Sequence, residues 1–359
     1  MSKKIIFSGG GTGGHIFPAI NLMKHFFNKG HEVLLVTDSR GKDFIKNYSE
    51  FKSYTLNAGT PTNKNLLKKL FSYFLIFYSI IRSIIILKKE KPDLIFGFGG
   101  YVSFPISFAS RFFNLPLIIY ENNMVLGRAN KYLSSFSKKI LLAKEITKNF
   151  PEKYRKKTHE VGSILSKNII NCSKLKVNDN EEKFSILILG GSQGAEIFGG
   201  VIPEVIKTIK NKVYEIEVYQ QCVTSQKNSI INFYKKNNIK NYVFEFDQNI
   251  LKFALSSDLA ITRCGSSTMS ELIHTSTPFI AIPLPNSIDN HQLLNAKYYE
   301  NRGCCWILEQ NNFNTENLLN LIIEIIENRN KLKNIHENMK KIRNKNVYDN
   351  IENKIKEYI

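Results

Sequence analysis

Cysteine pairs are missing from this chain. Its five cysteines, Cys172, Cys222, Cys264, Cys304 and Cys305, form no C-x-x-C motif and leave one over. That excludes a disulfide framework and a cysteine zinc site, and sets a reducing compartment as the expectation. A leader peptide is not expected either, because Met1-Ser2-Lys3-Lys4 runs directly into a short apolar stretch and then glycines. Acidic residues are scarce, 31 against 50 Lys and Arg, and the shortage is local. Residues 1–163 carry 26 basic against 10 acidic residues, which is +16 of the chain's +19. A concentrated excess calls for an anionic partner: nucleic acid, lipid headgroups or a phosphorylated substrate.

What the chain has is glycine in two places. Ser8-Gly9-Gly10-Gly11-Thr12-Gly13-Gly14-His15 follows the apolar run Lys4–Phe7 and precedes Ile20, Leu22, Met23, Phe26 and Phe27 at helical spacing. A strand, a glycine turn and a helix let backbone N–H groups approach a phosphate or a sugar closely. Gly9, Gly11 and Gly14 satisfy G-x-G-x-x-G, and Asp38 ends the next strand where a ribose-binding acid sits in dinucleotide enzymes. A second loop, Gly190-Gly191-Ser192-Gln193-Gly194-Ala195, follows the buried-strand run Phe184–Leu189. A nicotinamide enzyme has no use for it. The chain therefore reads as two Rossmann-type halves, each opening on its own glycine loop.

At 359 residues there is room for two full cores. Further strands are expected over 92–100, ending in glycines, at 117–121, 139–143, around 159–162, and at 214–219, 242–246, 259–262 and 279–282. The polar stretch Lys174 to Lys183 separates the halves, giving domains of 1–163 and 164–339. The charged helix over 340–359 is expected to pack back on the first domain.

Residues 64–91 stand apart. Lys64, Lys68, Lys69, Arg82, Lys88, Lys89 and Lys91 surround an apolar run from Leu70 to Leu87. The run nearly reaches the roughly 20 residues a bilayer span needs, but Arg82 interrupts it, and a span would put parts of one sheet on opposite sides of the membrane. We expect one face packed on the sheet. The other, with Phe74 and Phe77 among basic flanks, is offered to an anionic membrane surface.

With both loops in view, the chain resembles the MurG family of bacterial N-acetylglucosaminyltransferases from about residue 5 to about residue 345. The resemblance rests on the order and spacing of Gly10–His15, Gly99-Gly100-Tyr101-Val102-Ser103, Glu121-Asn122-Asn123, Gly190–Ala195, Arg263-Cys264-Gly265-Ser266 with Ser270-Glu271, and Asp289-Asn290-His291-Gln292 with Asn295-Ala296. It implies an α/β GT-B fold of two Rossmann-like domains facing across a cleft. The UDP-GlcNAc donor would sit on the C-terminal domain and the lipid I acceptor on the N-terminal one. It implies a peripheral enzyme on the cytoplasmic face of the inner membrane, making lipid II for peptidoglycan, with no nucleic acid partner. No cofactor or metal is expected: the chain has no Asp-x-Asp pair of the kind that holds Mg²⁺ or Mn²⁺ on a diphosphate in metal-dependent glycosyltransferases of the other common fold.

The resemblance also implies site residues. His15 is a candidate base, with helix capping or packing as its plain alternative. Thr12, Gly13 and Gly14 bring backbone against the acceptor diphosphate or the donor. Asn123 contacts the donor, or caps a turn. Ser192 and Gln193 hold the UDP phosphates, and backbone near Asp247 meets uracil. Arg263 neutralises the diphosphate. Ser266, Ser267 and Thr268 open a helix that they cap as well as bind phosphate, with Met269 and Ser270 following. Glu271 accepts from both ribose hydroxyls, unless it is a solvated helix-face carboxylate. His291 and Gln292 read GlcNAc hydroxyls.

Three departures stand out. The family's His-Glu-Gln-Asn is Tyr120-Glu121-Asn122-Asn123, its Gly-Asn-Pro-Val-Arg is Gly162-Ser163-Ile164-Leu165-Ser166, leaving Ser166 or Lys167 in place of an arginine, and Cys264 stands where serine or alanine is usual. Two alternatives remain open on the same fold: a UDP-GlcNAc 2-epimerase and a non-enzymatic UDP-sugar-binding subunit.

Overall fold

The computed structural model describes residues 2–45, 50–57, 59, 65–146, 150–172, 183–191, 195–212, 215–247 and 250–359. The chain divides into two compact units, Met1–Ser166 with Asn346–Ile359, and Lys167–Lys345.

The first unit alternates strands and helices: β1 (Lys4–Ser8), α1 (Gly13–Asn28), β2 (Glu32–Thr37), α2 (Ser39–Phe44), β3 (Lys52–Thr55), α3 (Leu66–Glu90), β4 (Leu94–Gly97), α4 (Gly100–Ala109), β5 (Leu117–Glu121), α5 (Arg128–Leu133), β6 (Lys139–Leu142) and β7 (Thr158–Glu160). All strands are parallel, in the order β3-β2-β1-β4-β5-β6-β7. A parallel sheet needs helices on both faces, so its central strands read as continuous apolar runs. Ile5, Ile6 and Phe7 are fully buried, with Ile6 registered against Leu34 and Ile95. The order reverses direction between β1 and β4, and in such sheets the crevice beyond the carboxyl ends at that reversal is where ligands bind.

The second unit repeats the plan. Its elements are α6 (Lys167–Asn171), β8 (Lys183–Leu189), α7 (Glu196–Lys210), β9 (Glu215–Gln221), α8 (Thr224–Lys236), β10 (Lys240–Phe244), α9 (Ile250–Ser256), β11 (Leu259–Arg263), α10 (Ser266–Thr275), β12 (Phe279–Ile282), α11 (His291–Glu300), β13 (Cys305–Ile307), α12 (Thr315–Glu327) and α13 (Arg329–Ile342). The sheet order is β10-β9-β8-β11-β12-β13, again parallel, with its reversal between β8 and β11.

The helix expected over 340–359 is two helices. The first, α13, ends at Ile342 within the second unit, and α14 (Val347–Ile355) belongs to the first. The break falls at Arg343, whose guanidinium is drawn onto the Ile273 carbonyl and the Ser276 hydroxyl. Val347, Ile351 and Ile355 are buried. The Tyr348 ring stacks on His25 at 4.5 Å, and Glu352 pairs with His25 at 2.5 Å and Lys29 at 2.9 Å.

The α3 helix is inside-out. Its protein-facing side is serine as far as Ser83: Ser72, Ser79 and Ser83 are buried and Ser79 donates to the Asn57 carbonyl at 2.9 Å, and only near its end do Ile86 and Leu87 enter the core. Small side chains let backbone come close, and a Cβ on Gly59 would sit 2.6 Å from the Ser72 Cα. The helix packs chiefly on α4 rather than on the sheet. Its outer side exposes Leu70, Phe71, Phe74, Phe77, Tyr78, Ile81 and Ile85. Only 28% of its most apolar 18-residue window is buried. The strands on either side of it, β3 and β4, lie in one sheet, so the helix cannot carry the chain across a bilayer. Lys64 lies outside the described residues, whereas Lys68, Lys69, Arg82, Lys88 and Lys89 are exposed along the helix.

Candidate functional site

In the first unit, the glycine turn and the end of β4 meet at the β1/β4 reversal. Gly99 and Gly100 adopt φ of 81° and 74°, and a Cβ on either would press on the His15 ring, at 3.3 Å from Cε1 and Cδ2 respectively. Glycine is required there because the imidazole lies against the backbone. His15 Nδ1 is 2.9 Å from the Phe98 carbonyl oxygen, which only accepts. The neutral ring therefore carries its proton on Nδ1 and its lone pair on Nε2, the arrangement a proton acceptor needs. Neither Thr12 nor His15 caps α1 through a side-chain hydrogen bond; Thr12 is its N-cap residue.

Asp38 is spent on the loop. Its Oδ2 accepts from Gly11 N at 3.1 Å and its Oδ1 from Gly41 N at 2.8 Å, capping α2. Tying two loops this way leaves it ill-suited to reading a ribose. Asp38→Ala is expected to cost about 1–2 kcal/mol of stability, as lost helix caps do. Urea unfolding checks it, and an unchanged midpoint would refute the tie.

A residue that the motif named but to which no role was given organises the loop after β5. The Glu121 carboxylate is buried and accepts four N–H groups: Asn123 N and Nδ2 at 3.1 Å each, and Gly127 N and Asn130 Nδ2 at 2.9 Å each. Asn123 is thereby held at the carboxyl end of the sheet. The available signal was an acid ending an apolar strand, since a buried carboxylate must be satisfied.

In the second unit, Gly190 and Gly191 end β8 beside Arg263-Cys264-Gly265 at the end of β11, and Gly191 has φ of 83°. Ser192 and Gln193 lie outside the described residues. Arg263 is buried, and its guanidinium donates to the carbonyls of Ile282 and Pro283 and, at 2.7 Å, to Gln310 Oε1, with the Phe198 ring centroid 5.1 Å away. Its hydrogen bonds go to framework groups, so it acts on a diphosphate through its field rather than as a freely aimed fork. No carboxylate pairs with it among the described residues, and burial lowers its pKa from the usual value.

The α10 helix turns only part of itself outward. Ser267, Thr268 and Glu271 are partly exposed, whereas Ser266 is buried, Met269 lies in the core and Ser270 pairs with the Tyr299 hydroxyl at 3.0 Å. Met269 and Ser270 are thus framework residues, because a 3.6-residue turn cannot present six consecutive side chains to one ligand. The N-cap of α10 is Gly265, which has no side chain to cap with, and the first turn carries Ser266, Ser267 and Thr268. Glu271 has no hydrogen-bond or ion-pair partner among the described residues. Burial pushes its carboxyl up to about 7.

Gln292 has its amide orientation fixed. Its Oε1 accepts from Cys264 N at 3.2 Å and Leu284 N at 3.0 Å, so the –NH₂ is the end that remains to donate. His291 Nδ1 lies 2.8 Å from the Ile288 carbonyl oxygen. Asn295 Nδ2 donates to the Cys264 carbonyl at 3.3 Å. The Cys264 thiol, pushed up by burial, packs as a small apolar group. Asp247 follows β10 and accepts from the Tyr242 hydroxyl at 2.7 Å. Lys167 is exposed at the start of α6, with Ser166 just before it.

Residues 5–142 match the glycosyltransferase family 28 N-terminal domain, and residues 185–353 match its C-terminal domain. The chain is 37% identical over 356 residues to the UDP-N-acetylglucosamine–N-acetylmuramyl-(pentapeptide) pyrophosphoryl-undecaprenol N-acetylglucosamine transferase of Pelagibacter ubique, covering 99% of this chain and 98% of that one. The protein of the same name from Rickettsia bellii is 35% identical over 361 residues, covering 99% and 100%. The chain belongs to this family, the MurG family. A crystal structure of Acinetobacter baumannii MurG shares the fold, with a TM-score of 0.79 at 24% identity over 99% of this chain and all of that one. The fold is α/β of the GT-B class, built from two parallel-sheet units, and the chain is a glycosyltransferase.

Proposed function

We propose that the chain moves N-acetylglucosamine from UDP-GlcNAc to the 4-hydroxyl of the muramoyl sugar of undecaprenyl-diphospho-MurNAc-pentapeptide, lipid I, giving lipid II for peptidoglycan. The observation that carries this reading is full-length identity of 34–37% to transferases bearing that name, over both units. Neither the epimerase nor the binding-subunit alternative is favoured.

The chemistry is an inverting displacement. The acceptor oxygen bonds to the anomeric carbon, the bond from that carbon to the diphosphate oxygen breaks, and UDP leaves with the electron pair. His15 is placed to take the hydroxyl proton on Nε2, within the usual range of general-base help. Glu271 accepts from the ribose, the positive end of the α10 dipole and the Arg263 field balance the departing diphosphate, and the Gln292 –NH₂ donates to a sugar hydroxyl. Backbone near Asp247 receives uracil, while Thr12, Gly13, Gly14 and Asn123 flank the reacting groups. Ser192 and Gln193 complete the phosphate loop, and Lys167 is a candidate to stand in for the family arginine. The exposed apolar face of α3, rimmed by lysines, holds the enzyme on an anionic membrane surface, the cytoplasmic face of the inner membrane.

Transfer of radiolabelled GlcNAc from UDP-GlcNAc to a lipid I analogue tests the reading, and UDP-GlcNAc epimerised without acceptor would overturn it. Turnover is expected to survive EDTA, because helix starts and Arg263 supply the positive potential. Loss restored only by Mg²⁺ or Mn²⁺ would refute that.

A further inference from the structure

Tyr120 is one of the largest fully buried side chains in the protein, and its contacts reach Phe98, Asn122, Asn130 and the 162–164 stretch. It stands near the end of β5. Its hydroxyl accepts from Ile164 N at 3.1 Å and lies 3.2 Å from both the Asn122 Oδ1 and the Gly162 carbonyl oxygen. Burial pushes the phenol pKa up, so the group stays a donor throughout the working range. Its ring packs on Phe98 at 5.7 Å, the residue whose carbonyl sets the His15 tautomer. Its own carbonyl accepts from Asn130 Nδ2, which also supports Glu121.

The hydroxyl joins two segments that the sheet does not join. On one side is the loop from Glu121 to Gly127, carrying Asn123. On the other is the stretch from Gly162 to Leu165, where Gly162 has φ of 102°. That stretch has a second anchor of a different kind, in α14: the Tyr348 hydroxyl donates to the Leu165 carbonyl, and Asn350 Nδ2 to the Val161 carbonyl at 3.3 Å. A phenol is long enough to reach both segments from the sheet interior while donating and accepting at one atom.

We propose that Tyr120 is a positioning residue for the transfer reaction: its buried hydroxyl clips the Asn123-bearing loop to the 162–165 stretch and so sets where Asn123 stands at the carboxyl end of the sheet. This rests on the transferase reading above. Tyr120→Phe keeps the ring on Phe98 and removes only the clip. It strands the Ile164 N–H and removes the hydroxyl's bond to the Asn122 side chain, while Glu121 and its four donors remain.

The test compares Tyr120→Phe with Tyr348→Phe, which cuts the same stretch from its other anchor. Wild-type transfer to a lipid I analogue checks the transferase reading first, so its failure is told apart from failure of the clip. Tyr120→Phe is expected to lower kcat about tenfold or more, as small misplacements near a reacting centre do. Kd for UDP, which lacks the sugar, should stay within twofold, because the proposed nucleotide contacts lie in the other unit. Amide exchange at residues 122–127 should quicken. Tyr348→Phe should leave both kcat and that exchange unchanged. If Tyr120→Phe keeps wild-type kcat, or if Tyr348→Phe lowers kcat equally, the clip is general structural support and the proposal fails. Should Tyr120→Phe not fold, Asn122→Ala removes the clip's partner on the loop side. Its kcat falling with exchange at 122–127 quickened would support the clip, and wild-type kcat would overturn it.

Discussion

Glu271→Ala is expected to abolish measurable UDP binding while leaving the fold intact. Hydrogen bonds to a charged group are worth about 1.5–3 kcal/mol each, and two ribose hydroxyls meeting one carboxylate give roughly 3–6 kcal/mol, a loss of about a hundredfold or more. The carboxyl sits partly buried with no partner among the described residues, and its pKa is pushed up to about 7. Accepting two hydroxyls requires the ionised form, so UDP affinity should climb as pH rises from 6 to 8 and level off above. The sign for the ligand-free protein is opposite. Between the ordinary value of 4.5 and about 7, the folded state holds a proton that the unfolded chain has released, so stability falls as pH rises through that window. Glu271→Gln should therefore raise the melting temperature at pH 8 and change it little at pH 4. Calorimetric titration with UDP across this range checks both. Unchanged UDP affinity in a folded Glu271→Ala protein would remove the carboxylate from the donor site.

Changing Lys68, Lys69, Lys88 and Lys89 together to Glu is expected to release the protein from vesicles containing anionic lipid. Each basic residue near such a surface contributes about 1 kcal/mol, so removing four attractions alone costs roughly 4 kcal/mol, near a thousandfold, before the new repulsions are counted. Binding of the unaltered protein should weaken with salt, since exposed charges are screened over about 10 Å at 0.1 M. UDP affinity should not change, because these lysines and Glu271 lie in different units. Flotation with vesicles of defined phosphatidylglycerol content reads the result. Binding indifferent to charge and salt would leave the apolar face of α3 as the sole anchor, and extraction only by detergent would contradict the single sheet that holds both β3 and β4.

The parallel sheets and their two reversals were legible because each reversal is marked by glycines after an apolar run, Phe7 before Gly9 and Leu189 before Gly190. Glu271 and Gln292 came into view only through the order of motifs shared with the family, since a lone Glu or Gln on a helix carries no signal of its own. Phase around a helix was not. From Ser266 to Glu271 the letters look uniformly suited to a ligand, and only the helix's rotation sends Met269 and Ser270 inward. Similarly, α3 is apolar on nearly every side, so nothing in the letters said that its serines would face the protein. Glu121 was hidden for a different reason, because its four donors come from residues spread over Asn123 to Asn130 and meet only after the loop has closed.

The return of α14 to the first unit has a consequence for modularity. Residues 1–166 do not amount to a self-contained half, since Val347, Ile351 and Ile355 complete its interior and Glu352 answers His25 and Lys29. A single genetic crossover between two relatives near residue 166 would therefore give each hybrid an N-terminal half from one parent and its closing helix from the other. Exchange of donor specificity by recombination needs two breakpoints, one near 166 and one near 346, with the segment between them moving as a cassette. The second unit is in that sense an insertion into the first.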